Sequence, residues 1–130
     1  MEMEIVFPGG QQVDARMGHM VIPTNQDGTA PAPFSLFLAS IGTCAGIYVL
    51  SFCQQRGLPT EGLRIVQRNR TSPQTRMVEA IELDIQLPPD FPEQYREAVI
   101  RSASLCAVKK HIENPPRFDV HTSVRTTETA

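Results

Sequence analysis

Between Phe34 and Cys53 the chain reads FSLFLASIGTCAGIYVLSFC, twenty consecutive residues without a charge. Pro33 in front of this run suits the first turn of a helix. Gly57, with Pro59 beyond it, supplies the stop. One helix over about Pro33–Arg56 is therefore predicted. By length alone such a run is able to cross a bilayer. Ser35, Ser40, Thr43 and Ser51 dilute its apolar character, however, and no Trp or Lys marks the interfaces. The rest of the chain reads as strands and a helix whose apolar faces need covering, so the run is read as a core helix and not as a membrane span. A helix that is apolar on every side has to be buried on every side. A single sheet covers one face; the other demands a second helix or a second copy of the chain, so a homodimer is expected.

A length of 130 residues suits one domain, taken as residues 1–130, and 41% apolar residues are enough for a core. The net charge is −2, with no basic cluster, which disfavours nucleic acid as the partner. The opening MEMEIVFPGG lacks the basic and apolar regions of a signal peptide, so a cytoplasmic location is expected. Three cysteines without a Cys-x-x-Cys pair and three scattered histidines suggest neither a disulfide framework nor a structural zinc site. No metal and no organic cofactor are expected.

Turn signals and alternation divide the remainder. Met3–Phe7 reads as a strand ended by Pro-Gly-Gly, and QQVDARMGHMVIPT as one or two strands broken at Gly18. LRIVQRNRTS and TRMVEAIELDIQLP read as a hairpin around Ser72 and Pro73, with Leu83, Ile85 and Leu87 on one side of the second strand. Asp90, with Glu93 three residues later, marks the start of a second helix over about Pro92–His111. Alternation of Phe118, Val120, Thr122 and Val124 predicts a closing strand. The expected class is α+β, in the order βββ-α-ββ-α-β with largely antiparallel strands.

Cys44 lies mid-helix among Gly42, Thr43, Ala45 and Gly46. Buried cysteines are commonly inert packing, and that reading applies to all three here. Cys44 and Cys53 lie nine residues apart on one helix, about 13 Å and on opposite sides, too far for a disulfide. Any intramolecular partner of Cys44 is thus Cys106, in SASLCAVKKHI, on a face shared with Val99, Ser102 and Ala103. Two core positions and a two-thiol redox site produce the same pattern. His111 reads as a helix-end residue beside Lys109 and Lys110. Arg64, Arg68 and Arg70 read as one solvated strand face. Tyr48, one turn after Cys44, reads as core or as lining for a pocket.

APAPFSLFLASIGTCAG, with its helix-opening Pro and Cys44 about ten residues in, and CAVKKHI around Cys106 resemble the OsmC/Ohr family of thiol-dependent hydroperoxide reductases. The order of elements agrees over essentially the whole chain. The resemblance implies an intertwined homodimer, with the long helices at its centre and each site built from both chains. It further implies Cys44 as the attacking thiol, Cys106 as the resolving thiol, a small-molecule hydroperoxide as substrate and an external dithiol as reductant.

The family activates its thiol with an Arg from the N-terminal strands, held by a Glu early in the long helix. Arg16, in DARMGH, matches the Arg as the only one before that helix. The position of the Glu is taken by Phe34, and no acidic residue occurs between Asp27 and Glu61. The carboxylate that holds Arg16 is then expected from Asp14 or Glu113, or is absent altogether. The departure at Phe34 supports a second reading: a protein of the same fold that is a thiol redox carrier or a binder of small apolar ligands.

Overall fold

Gly10 and Gly18 both adopt left-handed backbone, each at φ 57°, and at these two points the N-terminal segment reverses. The result, in a computed structural model that describes residues 1–126, is an antiparallel sheet of β1 (Glu4–Gly9), β2 (Gln12–Met17) and β3 (Met20–Asn25). Period-2 alternation gives the sheet two unlike faces. Val13, Ala15 and Met17 of β2 share one with Ile5 and Phe7. Gln12, Asp14 and Arg16 share the other with Glu4, which stands opposite Arg16 in register. The sheet packs chiefly on itself. Ile5, Phe7, Met20 and Val21 are left exposed.

Helix α1 spans Pro33–Gln55, with Pro at its first turn and Arg56 as its C-cap. Gly57, at φ 61°, turns the chain away, and the Leu58 N–H returns to the Cys53 carbonyl at 2.9 Å. Ile41, Ala45, Val49, Phe52 and Cys53 form its buried stripe. Phe91, Val99 and Ala103 complete the core, with Leu63, Ile65, Leu83, Ile85 and Leu87 against it. The helix meets the length and composition of a membrane span, but one face of it organises the core. A second side meets β4, where Gln67 donates to the Leu38 carbonyl at 2.9 Å, and on the remaining side Phe34, Phe37 and Ile47 are exposed.

The expected hairpin forms from β4 (Arg64–Thr71) and β5 (Val78–Gln86), paired antiparallel. Its loop is longer than a tight turn. The buried Ser72 hydroxyl accepts the N–H groups of Gln74 and Thr75 at 3.3 and 3.2 Å. Arg64, Arg68 and Arg70 do line a solvated face: Arg68 meets Glu82 at 2.6 Å and Arg70 meets Glu79 at 3.2 Å.

Three expectations are corrected. The second helix is not continuous over Pro92–His111. A single 3-10 turn at Glu93–Tyr95 leads into α2 (Arg96–Ala103), and α3 (Ala107–Glu113) follows after a break. The Ser104 hydroxyl donates back to the Ile100 carbonyl at 3.0 Å and Leu105 N–H bonds to the Ser102 carbonyl at 3.1 Å, ending α2. Asp90 is not the cap; Pro92 occupies that position, with no side-chain capping bond. Phe91, buried in the core, anchors the entry instead. The closing strand is also absent from residues 115–126. Phe118, Val120 and Val124 stand 83%, 91% and 95% exposed, because no sheet edge of this chain pairs with them.

Val49 is 1% exposed at the centre of the α1 stripe. Val49→Ala is expected to lower stability by about 2–3 kcal/mol, combining lost burial with the cavity left behind. Urea unfolding with unchanged slope checks it.

Candidate active site: a pair of unlike thiols

All three cysteines are free, Cys53 and Cys106 buried and Cys44 half-buried. Cys53 is fully enclosed in the core. Burial pushes its pKa up, against a weaker opposing effect of the Arg56 charge. It is a packing residue.

Cys44 and Cys106 face each other. Cys44 comes from the middle of α1, and Cys106 is the N-cap of α3, with φ −51° and ψ 129°. The break between α2 and α3 thus places Cys106 at a helix start and not within a helix. The Cys106 carbonyl accepts the Lys110 N–H at 3.1 Å, which begins α3. The N–H groups of Ala107, Val108 and Lys109 precede that first bond and have no carbonyl within α3.

These donors act on the two sulfurs unequally. Burial works against ionisation of Cys44, but the Cys106 S–H and the N–H groups of Val108 and Ala107 outweigh it. The Cys44 pKa falls below the ordinary thiol value. Burial raises the Cys106 pKa, and so do its S–H interaction with Cys44 and the charge there. The N–H groups of Lys109 and Val108 offset this only in part. One thiol is poised to ionise and its neighbour to keep the proton. A pair of titratable groups pushed apart in this way has assigned roles of donor and nucleophile.

Two clefts border the helices that carry the pair, and one of them reaches Cys106. One, of about 440 Å3, lies between β5 and the three helices and is walled by Ile81, Leu83, Ile85, Ile100 and Ile112. Cys106 is in its lining, and Lys109 is the charged residue there. The other, of about 860 Å3, runs along α1 and α2 past Tyr48, Ser51 and Gln55 towards Arg56 and Arg101. Tyr48 therefore lines a cleft instead of filling the core.

Arg16 is not brought to Cys44 within one chain. Its guanidinium meets Glu4 at 3.9 Å, both side chains more than half exposed, a pairing worth little. Asp14 takes the Gln12 amide at 3.1 and 3.2 Å and Glu113 lies on exposed α3, so neither holds Arg16. Phe34 is 56% exposed and stacks on Phe37 at 5.6 Å, away from the core. The N–H donors at Ala107 and Val108 were missed in the sequence, since a helix drawn straight through Cys106 uses them internally. The serines of SASLC are the local signal for the break. His111 sits in the last turn of α3, its Nδ1 2.7 Å from the Ala107 carbonyl. Among the described residues no three His, Cys, Asp or Glu gather as metal ligands.

A depressed thiol pKa in the fold favours the ionised form, so its stabilising effect is present above the unfolded thiol value near 8.5 and fades as pH falls through the folded one. Alkylation by iodoacetamide at pH 7 is accordingly expected in the order Cys44, then Cys106, with Cys53 untouched until unfolding. Peptide mass mapping against time reads the order; early labelling of Cys53 contradicts it.

Comparison with known proteins bears on the fold and the family. A solved protein from Psychrobacter arcticus 273-4, proposed to be an osmotic stress induced and detoxification response protein, matches with TM-score 0.69 and 16% identity, over 83% of this chain and 85% of that one. A hypothetical protein from Aquifex aeolicus VF5 matches with TM-score 0.68 and 18% identity, over 88% and 87%. At these identities the likeness shows the fold. No curated protein matches the sequence. The model of the family described as OsmC-like protein matches residues 26–121, most of the sequence and both redox-candidate cysteines, and the chain belongs to that family.

Proposed function

We propose that this protein reduces organic hydroperoxides with a two-cysteine thiol cycle in the cytoplasm. The observation that carries the reading is the pair itself: Cys44 with its pKa lowered, beside Cys106 with its pKa raised. The Cys44 thiolate attacks the O–O bond of the hydroperoxide. That bond breaks, the alcohol leaves after taking a proton, and Cys44 becomes a sulfenic acid. Cys106 then condenses with it, forming the S–S bond and releasing water. An external dithiol restores both thiols by exchange and is itself oxidised to a disulfide. The apolar cleft next to Cys106 favours an organic group over hydrogen peroxide. The description of the Psychrobacter arcticus relative as a detoxification response protein accords with a role in stress defence.

The working unit in this reading is a homodimer. A single chain exposes Phe34, Phe37 and Ile47 of α1, Ile5 and Phe7 of the first sheet, and the unpaired run with Phe118, Val120 and Val124. Apolar exposure on this scale marks an interface. The first sheet is little attached to its own core, so a partner's copy is free to carry Arg16 to the thiol. Phe34 supports a second reading, a carrier or ligand binder of the same fold, because no carboxylate is there to hold Arg16 once it arrives.

Four outcomes are expected. Anaerobic treatment with one equivalent of cumene hydroperoxide converts two thiols per chain to a Cys44–Cys106 disulfide, read by intact mass and peptide mapping. Cys44→Ser abolishes consumption, and Cys106→Ser stops at a trappable sulfenic acid; consumption by Cys44→Ser at the native rate refutes the scheme. Sedimentation at micromolar concentration gives twice the chain mass, and Ile47→Glu lowers it to one. Finally, Arg16→Ala slows thiolate oxidation and Phe34→Glu accelerates it in stopped-flow runs from pH 5 to 10. A native profile for Arg16→Ala removes Arg16 from the site.

A further inference from the structure

Ser102 stands four residues before Cys106, and Tyr48 four residues after Cys44. The Ser102 hydroxyl donates to the Tyr48 carbonyl at 3.1 Å. Among the described residues it is the one side-chain hydrogen bond that joins α2 to α1. The carbonyl of the same residue accepts the Leu105 N–H at 3.1 Å, closing the turn that leads from α2 to Cys106. Ser102 therefore grips α1 with its side chain and the Cys106 turn with its backbone. On α1 the grip lies about one helical turn from Cys44.

The surrounding contacts do not fix that geometry. Val99 and Ala103 pack on Ala45 and Val49 as an apolar layer, and such contact is non-directional. A disulfide is demanding by comparison, requiring Cα atoms roughly 4.4–6.8 Å apart and a narrow range of dihedral angle. Small sliding or rotation of α2 on α1 keeps the apolar layer and loses the sulfur–sulfur alignment. The Tyr48 carbonyl has two lone pairs, and in a helix one serves the N–H four residues on. Removing the Ser102 hydroxyl thus leaves no orphaned acceptor.

We propose that Ser102 is a positioning residue for the thiol pair: its hydroxyl, bound to the Tyr48 carbonyl, holds the Cys106 turn in register for bond formation with Cys44. The inference rests on the two-cysteine reading above. In the step concerned, the Cys106 sulfur attacks the sulfenic sulfur of Cys44. The S–S bond forms, the S–O bond breaks, and the oxygen leaves as water with the thiol proton of Cys106 and its own. Ser102 acts chiefly on this closing step; on the attack on peroxide it bears only through the Cys106 turn, whose S–H and N–H groups lower the Cys44 pKa.

The test compares the full-length native protein with Ser102→Ala, Ser102→Val and Ser102→Thr. Thr keeps a hydroxyl, and Val has the shape of Thr without it, so this pair isolates the hydrogen bond even where Ala disturbs folding. Reduced proteins are mixed with cumene hydroperoxide, with and without dimedone to trap sulfenic acid, and followed by mass. Closure should slow by roughly tenfold or more in Ala and Val, and by clearly more than sulfenic acid formation does in the same variants. The dimedone adduct on Cys44 should rise accordingly, and Thr should close like native. In parallel, each protein is equilibrated with glutathione buffers, where the disulfide fraction should fall for Val relative to Thr. Equal closure and equal glutathione equilibria for Val and Thr overturn the proposal. So does a native protein that forms no Cys44–Cys106 disulfide in either oxidant. A native protein that forms the disulfide in glutathione yet ignores hydroperoxide refutes the peroxidase reading alone, and the Thr–Val difference in glutathione then decides for Ser102.

Discussion

A helix of 23 residues without a charged side chain is the constraint on which the architecture depends. Its stripe at Ile41, Ala45, Val49 and Phe52 recurs at helical spacing and gathers Phe91, Val99 and Ala103 around it. A second side carries small residues instead, which lets β4 come close. Gln67 of β4 donates to the Leu38 carbonyl at 2.9 Å, and a β-carbon on Gly42 would collide with its amide. Glycine costs a helix about 1 kcal/mol relative to alanine. Here the missing side chain leaves room for the Gln67 amide against the helix. The remaining side, with Phe34, Phe37 and Ile47, has no partner among the described residues.

The chemistry at Cys44 depends on where helix α2 stops. Burial alone makes a thiol a weaker acid, and Cys53 shows that outcome twelve or so ångströms away on the same helix. Cys44 departs from it because residues 104–106 are not helical. In one unbroken helix the N–H groups of Ala107 and Val108 would bond to carbonyls four residues earlier. The break frees them, and they favour the thiolate of Cys44 while Cys106 keeps its proton. Within the single chain the Cys106 S–H, and after it the backbone N–H groups of Val108 and Ala107, lower the Cys44 pKa, the direction in which the family resemblance assigned a guanidinium to act. Serine hydroxyls govern the break and its attachment: Ser104 competes for the last carbonyls of α2, and Ser102 ties that helix to α1.

Much of this was legible from residue order. The run from Pro33 to Gly57, the alternation of Leu83, Ile85 and Leu87, and the glycines at the N-terminal turns are local signals, and local backbone preference answers to them directly. The separation of Cys44 from Cys53 followed from helical rise alone. The closing strand was misread for the opposite reason. Phe118, Val120 and Val124 alternate as a strand should, but a strand exists only against an edge, and the alternation does not say whether the chain supplies one.

The sequence by itself determined a single OsmC-like chain built on one apolar helix, with Cys106 the only thiol able to meet Cys44. That follows because helical period and turn chemistry act over a few residues. Tertiary structure decided which thiol ionises. Acidity at Cys44 depends first on the Cys106 S–H and then on N–H groups, all more than sixty residues away in sequence and brought near by packing against α1. It likewise decided that Arg16 faces Glu4 within its own chain. Electrostatic effects fall off with distance through space, and residue order does not set that distance until the core has closed.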